Sequence, residues 1–549
     1  MSKLRPSSVT RRDVLGVGAA GALAAGSAAV WGAGTAEADP ALDHHPQPDP
    51  ARPLRQFRGS WIATTVNIDW PSRPGLDAAT QQAEYQRLLD DARHYRLNAV
   101  VTQIRPTADA FWPSPLEPWS RWLTGEQGVD PGYDPLGHAV EATHAAGLEF
   151  HAWLNPYRIS MTAGTGDVGT DLSGLHESHP AREHPEWTVA YPKVDGQLYY
   201  DPGIPEVREF VIEAMMHAVD NYDIDGVHFD DYFYPYPVGD EEFDDDDTFA
   251  RYGGDFTDKA DWRRNNTDEL IKEFGRRIKA SKPWVRFGVS PFGVWRNIAD
   301  DPAGSDTQAG APTYDVLYAD TRRWVREGWI DYIAPQIYWA MSLEIASYPV
   351  LVDWWNQVCE GTDCRLYIGE ATYKVDVDTV SPEWKNDPRE LLNHLTVCRQ
   401  HPNVDGNIFY SATPVRQDKL DAMTLLRDEH YSRPALIPAS SHPGGARPRK
   451  PELLDVTRDD TGYTVQWRTT THHDGIDRVT RYAVYAVPGK VRHGSFVDAT
   501  HLVAVVPAGT EPFQECHVDS DTEELTIAVT ALTRVWRESD PGTIHCRRR

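Results

Sequence analysis

The amino-acid sequence predicts a parallel (β/α)8 barrel followed by a small all-β sandwich. Three observations carry that expectation. Short β-rich apolar runs ending in polar or aromatic residues recur eight times along the first part of the chain. Stretches with apolar residues three and four apart separate them, the pattern of helices with one buried face. Alternating buried strands and helices indicate a parallel barrel covered by helices. No Gly-rich phosphate turn follows any of the runs, which argues against the competing doubly wound open sheet.

Taken in order, the runs span residues 57–66, 99–106, 147–157, 225–232, 286–293, 330–338, 365–374 and 404–412. The helical stretches between them include 80–95, 134–146, 206–222, 261–280 and 314–327. After about residue 450 the pattern changes. Segments 463–467, 481–487, 502–506 and 524–533 alternate apolar and polar residues between turn clusters, as expected of antiparallel strands.

The chain has 549 residues, more than one domain usually holds. Residues 1–38 read as a twin-arginine signal peptide. Thr10-Arg11-Arg12-Asp13 precedes a small-residue apolar run, and Ala36-Glu37-Ala38 offers a cleavage site. An uncleaved anchor is disfavoured because the apolar run is short and glycine-rich. Residues 39–54 read as a disordered leader, 55–431 as the barrel, 432–451 as a Pro-, Ser- and Gly-rich linker and 452–549 as the sandwich. The expected location is secreted or wall-associated, with no membrane contact after signal cleavage. A formal charge of −28 repels nucleic acid and anionic lipid. Five cysteines fit no zinc spacing. In an exported protein Cys359–Cys364 and Cys516–Cys546 are plausible disulfides, leaving Cys398 free.

The fourth run ends in two adjacent carboxylates, Asp230 and Asp231. Strands of such barrels deliver their C-terminal residues into the mouth, where polar groups are available for chemistry, so this pair is the first catalytic candidate. The competing reading is that the aspartates cap the following loop or helix. The acidic run 240–247 lacks the alternating ligands of a calcium loop and reads as a solvated loop; no metal or other cofactor is expected. His151 and His228, inside apolar strands, read as satisfied core residues.

Several motifs carry a family resemblance. They are Arg58-Gly59-Ser60-Trp61, Asp69-Trp70-Pro71, Pro118-Trp119-Ser120, residues 151–158 (HAWLNPYR), Asp201-Pro202-Gly203, residues 230–234 (DDYFY), residues 288–296 (GVSPFGVWR) and residues 331–339 (DYIAPQIYW). In this order and spacing, over about residues 55–430, they closely resemble the glycosyl-hydrolase-like family ten of bacterial envelope proteins. The resemblance implies a (β/α)8 glycosidase-type barrel. It also implies cell-wall glycan as substrate, particularly peptidoglycan strands without stem peptides. Around Trp467, residues 482–485 and residues 531–541, the C-terminal part resembles a fibronectin type III module, a spacer or wall-binding domain without evident chemistry.

Glycoside cleavage usually needs an acid at the leaving oxygen and a nucleophile or base. Asp231 is taken as acid and Asp230 as its partner, with exchange of the two roles left open. Cell-wall glycans carry acetamido groups, and an adjacent pair also fits enzymes in which the substrate acetamido is the nucleophile. Asp69, Asp201 and Asp320 are further acids, the last two better explained as a helix cap and a helix-surface ion pair. Glu370 ends the seventh run. Family members often carry a non-acidic residue there, so the resemblance makes it a subsite residue. Sugar rings present C–H faces and hydroxyl edges, so aromatic and amide side chains at strand ends complete the expected site. These are Trp70, Gln103, Arg105, Trp153, Asn155, Tyr157, Arg158, Tyr234, Ser290, Trp295, Gln336 and Tyr338, with Asp69 and Glu370. The alternative function is a catalytically silent glycan-binding wall protein, which product formation from glycan would separate from the enzyme.

Overall fold

Eight parallel strands close into a barrel: β1 Phe57–Ile62, β2 Ala99–Arg105, β3 Glu149–Leu154, β4 Gly226–Phe229, β5 Arg286–Val289, β6 Tyr332–Ile333, β7 Arg365–Glu370 and β8 Val404–Phe409. Each pairs with its successor, and β8 closes on β1 through Phe57↔Gly406 to Ser60↔Phe409. The computed structural model describes residues 52–440, 445–469, 475–492 and 494–547. The signal peptide and all of the leader before residue 52 lie outside the described residues. Among those described, no helix is long and apolar enough to cross a membrane.

One principal helix follows each strand: α1 Ala78–His94, α2 Pro135–Ala145, α3 Pro205–Asn221, α4 Lys259–Ser281, α5 Thr321–Arg326, α6 Tyr348–Cys359, α7 Arg389–Cys398 and α8 Ala422–Glu429. Their starts follow from local chemistry. Asp77 and Asp134 accept the free N–H groups of Thr80 and Gly137, and a proline occupies the first turn of α2 and of α3. The helix expected over 314–327 is two pieces, 313–316 and α5, because Tyr318 takes φ 51° between them. Asp201 does not cap α3. Its carboxylate accepts Gly203 N and Thr248 Oγ1, forming the turn that leads into the helix.

The barrel interior is polar along one line. His228 Nε2 receives the Trp61 indole N–H at 3.0 Å and lies 2.9 Å from Ser290 Oγ, so its proton is on Nδ1, 3.0 Å from Tyr332 Oη. Tyr332 Oη meets His151 Nδ1 at 2.9 Å, and His151 Nε2 meets Glu149 at 3.0 Å. Arg286 closes the chain on Glu149 at 2.9 Å. Both histidines are thus satisfied core residues, and burial holds His228 well below its usual pKa. Gly288 makes the room: a Cβ there would stand 2.1 Å from the Tyr332 ring.

The C-terminal part is a sandwich of seven strands, β9 Glu452–Arg458, β10 Gly462–Arg468, β11 Val479–Pro488, β12 Leu502–Pro507, β13 Phe513–Asp519, β14 Glu524–Thr533 and β15 Gly542–Arg547. One sheet runs β9-β10-β13 and the other β12-β11-β14-β15. The three strands missing from the sequence reading, β9, β13 and β15, are largely exposed or half-buried and carry little apolar alternation.

This sandwich is not a tethered bead. Phe57, Leu436 and Ile437 of the barrel side form one buried cluster with Tyr485, Leu502, Leu532 and Trp536 of the sandwich. Trp536 Nε1 donates to Glu149, and Arg481 donates to the Leu148 carbonyl at 2.9 Å, so the sandwich covers the barrel's N-terminal end. The linker expected over 432–451 is therefore partly structure. Leu436 is buried and pairs through its backbone with Leu54 and Gln56, because an apolar pair beside the barrel floor gains more from burial than from solvent. All five cysteines are free thiols, so neither expected disulfide is formed. Cys359 and Cys364 nevertheless share a hydrogen bond.

Candidate active site

Asp230 and Asp231 stand one and two residues past the end of β4, at the C-terminal mouth, 4% and 7% exposed. Polar neighbours from adjacent strands surround them. On β3, Trp153 donates its indole N–H to Asp230 Oδ2 at 3.2 Å. Asn155 Nδ2 lies 3.4 Å from both Asp230 oxygens, and its own Oδ1 is fixed by Arg158 N at 3.0 Å. Tyr232 N adds a 3.3 Å contact, and the positive charge of Arg158 acts on the same carboxylate. The Arg158 guanidinium is anchored on the Pro106 carbonyl and lies 4.9 Å over the Tyr232 ring. Asp231 receives the Tyr236 hydroxyl and the Gln336 amide, and Gln336 is itself held by the Ser290 carbonyl at 2.8 Å.

These surroundings separate the two acids. Burial raises both. Asp230 also ends above the usual carboxylate value, but Arg158 and three donors that favour its charged form limit the rise. Asp231 is pushed up to about 7, first by burial and then by the Asp230 charge. One carboxylate prepared to stay ionised beside one prepared to hold a proton is an acid–base arrangement. A wall of tyrosines borders the pair. Tyr338, Tyr373 and Tyr410 have ring centroids 6.0 to 6.2 Å apart, and the Asp231 and Asp230 charges act on Tyr338 and Tyr410 respectively.

A model of the family described as Glycosyl hydrolase-like 10 matches residues 56–386. The chain belongs to the glycosyl hydrolase-like 10 family. It is 48% identical over 437 residues to "Glycosyl hydrolase YngK" of Bacillus subtilis (strain 168), covering 79% of this chain and 84% of that protein. To "Glycosyl hydrolase DigH" of Escherichia coli (strain K12) it is 43% identical over 368 residues, 64% of this chain and 82% of the relative. Among solved structures, the PgaB (BpsB) glycoside hydrolase domain of Bordetella bronchiseptica aligns with 14% identity and a TM-score of 0.44, covering 69% of this chain and 99% of the domain.

In this glycosyl hydrolase-like barrel, Asp230, Asp231, Trp153, Asn155, Arg158, Ser290, Gln336 and Tyr338 converge at the mouth. The other candidates do not. Trp70 is 1% exposed, packed on Tyr85 and Phe111 with its N–H on the Gln81 carbonyl, so no face is open to a sugar. Tyr157 is wholly buried. Tyr234 packs edge-on against Phe243 and Tyr318 beside Arg263. Trp295 stacks on Trp354 and donates to Asp320 at 2.9 Å, while Asp320 also caps α5.

Gln103 and Arg105 support the site from behind. Gln103 Oε1 accepts Thr64 N and Thr65 N, shaping the loop after β1. Arg105 pairs with buried Glu117 and donates to the carbonyls of Asn155 and Pro156, holding the end of β3 that presents Asn155. Asp69 is spent on Ala63 N, Ser411 Oγ and Thr413 N at 2.8 to 2.9 Å, stapling the loop after β1 to the end of β8. Glu370 faces outward into the helices, where Tyr348, His394 and Asn407 occupy it at 2.6 to 2.9 Å. The acidic run is not all solvated: Asp245 is buried and grips Arg263 in two hydrogen bonds, although no metal-binding group of ligands exists among the described residues.

Sequence reasoning missed Tyr236, Tyr373 and Tyr410. Tyr236 sits in Tyr234-Pro235-Tyr236-Pro237, whose prolines take the chain off the strand and over the mouth. That repeat was the available signal.

Proposed function

We propose that the protein is an exported glycoside hydrolase that cleaves bacterial cell-wall glycan, specifically peptidoglycan strands stripped of their stem peptides. The observation that carries the reading is the unequal pair at the end of β4. Asp231, with its pKa raised to about 7, holds the proton for the leaving oxygen, while Asp230 stays ionised among Trp153, Asn155 and Arg158. Membership of a glycosyl hydrolase-like family and relatives named glycosyl hydrolases support the same chemistry.

The pair's surroundings also favour assistance by the substrate. Asp69, Asp201, Asp320 and Glu370 are each engaged by protein donors, so none of them is free to attack a sugar. Asp230 then orients the substrate acetamido as nucleophile, and Asp231 gives its proton to the departing oxygen and later takes one from water. The tyrosine wall supplies flat faces for the rings on either side. The strand order of the sandwich, three strands against four, supports a fibronectin type III module. The arginine pair and Ala36-Glu37-Ala38 support twin-arginine export.

The test is turnover. Purified protein is incubated with peptide-free and with intact peptidoglycan, and products are read by mass spectrometry. Short sugars from the peptide-free strands are expected; intact polymer without new reducing ends would leave only a glycan-binding protein.

A further inference from the structure

The Arg58-Gly59-Ser60-Trp61 motif is only half absorbed by the barrel interior. Trp61 reaches His228, but Arg58 lies near the N-terminal end of β1, at the pole away from the aspartates, and is 3% exposed. Its Nε–H donates to Gln56 Oε1 at 3.1 Å and its Nη1 to the Arg433 carbonyl at 2.8 Å, while the guanidinium lies 4.0 Å over the Tyr431 ring. Among the described residues Nη2 has no hydrogen-bond partner and no carboxylate pairs with Arg58. A buried cation without a counter-charge is costly. Burial and the charges of Arg399 and Arg96 together pull the Arg58 pKa down to about 9.

Arg58 lines a cavity of about 350 Å³ between the barrel floor and the sandwich, together with Arg52, His430, Ser432 and Arg433. Arg52 and Arg433 are exposed. Asp498 feels the charge of Arg52, but its Oδ1 is already held by Thr500 N and Oγ1 at 2.8 and 2.6 Å. His430 has its Nε2 3.1 Å from the Leu392 carbonyl, so Nε2 carries the hydrogen. Its Nδ1 is then a buried acceptor with no partner.

We propose that this cavity binds a phosphate monoester or inorganic phosphate. Arg58 Nη2, Arg52 and Arg433 donate to the phosphate oxygens, and His430 Nδ1 accepts the proton of a P–OH group. Guanidinium forks match phosphate geometry, and three of them suit the monoester monoanion or the hydrogen phosphate dianion, each of which keeps one P–OH for His430. A carboxylate at neutral pH has no proton to offer His430. A chain of net charge −28 does not gather anions by its overall field, so affinity here must come from the local arrangement.

Calorimetric titration of the full chain tests this, with ionic strength held constant by chloride. The probes are inorganic phosphate, glycerol phosphate, dimethyl phosphate and acetate. Saturable binding of the first two is expected, with dimethyl phosphate and acetate at least about tenfold weaker. Tighter glycerol phosphate assigns the site to an esterified ligand, and tighter inorganic phosphate to the free ion. Arg433→Gln and Arg52→Gln alter exposed side chains, and Arg433→Gln keeps the carbonyl that Arg58 uses. Each should weaken phosphate about tenfold with an unchanged circular-dichroism spectrum. No saturable phosphate binding, equal binding of dimethyl phosphate, or wild-type affinity in both variants would overturn the assignment. Glycan turnover at the opposite pole is measured separately and does not bear on it.

Discussion

The hydroxyl of Tyr236 offers a way to move the proposed acid without touching it. It donates to Asp231 Oδ2 and so favours the charged carboxylate, opposing the rise to about 7 that burial and Asp230 impose. In Tyr236→Phe that opposition is gone, and the Asp231 pKa goes up. A hydrogen bond to a charged group contributes about 1.5–3 kcal/mol, and each pKa unit is about 1.4 kcal/mol. Tyr236 is only half-buried, so water replaces part of the lost bond; the lower end applies, a rise of about one unit. With Asp231 as the proposed acid its protonated form is the active one, so activity should fall as pH rises through its pKa, and the variant should hold its activity to about one pH unit higher than wild type. The assay is kcat/KM on peptide-free glycan strands between about pH 5 and 9, whose limbs report the free enzyme. Tyr236 does not replace Asp231 as acid, because burial and the Asp231 charge drive its own hydroxyl far above the working range. An alkaline limb that stays in place or moves down would refute the assignment of Asp231 as the proton donor.

Asp231→Asn and Asp230→Asn should each lose about a hundredfold or more in turnover while keeping the fold, and wild-type rates in both would remove the pair from the mechanism. Asp231 binds its proton more tightly folded than unfolded, so its ionisation costs stability as pH rises from the ordinary carboxylate range to about 7; Asp231→Asn should therefore raise Tm at pH 8 and do so less at pH 4, read by calorimetry. Glycan stripped of its N-acetyl groups should bind but turn over far more slowly, and a thiazoline mimic of the cyclised intermediate should inhibit; equal cleavage of the deacetylated glycan would exclude the acetamido as nucleophile. Trp536→Ala should cost about 3–5 kcal/mol in chemical denaturation, since it empties a fully buried site between the sandwich and the barrel floor.

The eight barrel strands were legible because a strand buried on both faces leaves a continuous apolar run, and a run that ends in polar residues marks the mouth. Direction was not legible. Trp70, Tyr157 and Trp295 follow strand ends in sequence, yet Trp70 and Tyr157 turn into the core and Trp295 stacks on Trp354 of α6. Glu370 points to the helices instead of the mouth, where three polar side chains receive it. Strand alternation decides such cases only where the backbone stays regular, and at strand ends it does not. Tyr410 lies inside the eighth run and Tyr236 in the Tyr-Pro-Tyr-Pro repeat, but neither pattern says which way its ring turns. Three edge strands of the sandwich, β9, β13 and β15, were hidden for the opposite reason, since a mostly solvated strand needs few apolar residues.

The cluster joining Phe57, Leu436 and Trp536 ties the barrel floor and the sandwich together through one buried apolar seam. A gene shortened to the barrel alone would encode a protein whose underside is a raw apolar surface, prone to self-association before it could be tested for activity. The same seam sets direction. With the sandwich seated at one pole and the aspartates at the other, any surface the sandwich touches lies behind the mouth, so a strand being worked on must approach from the far side.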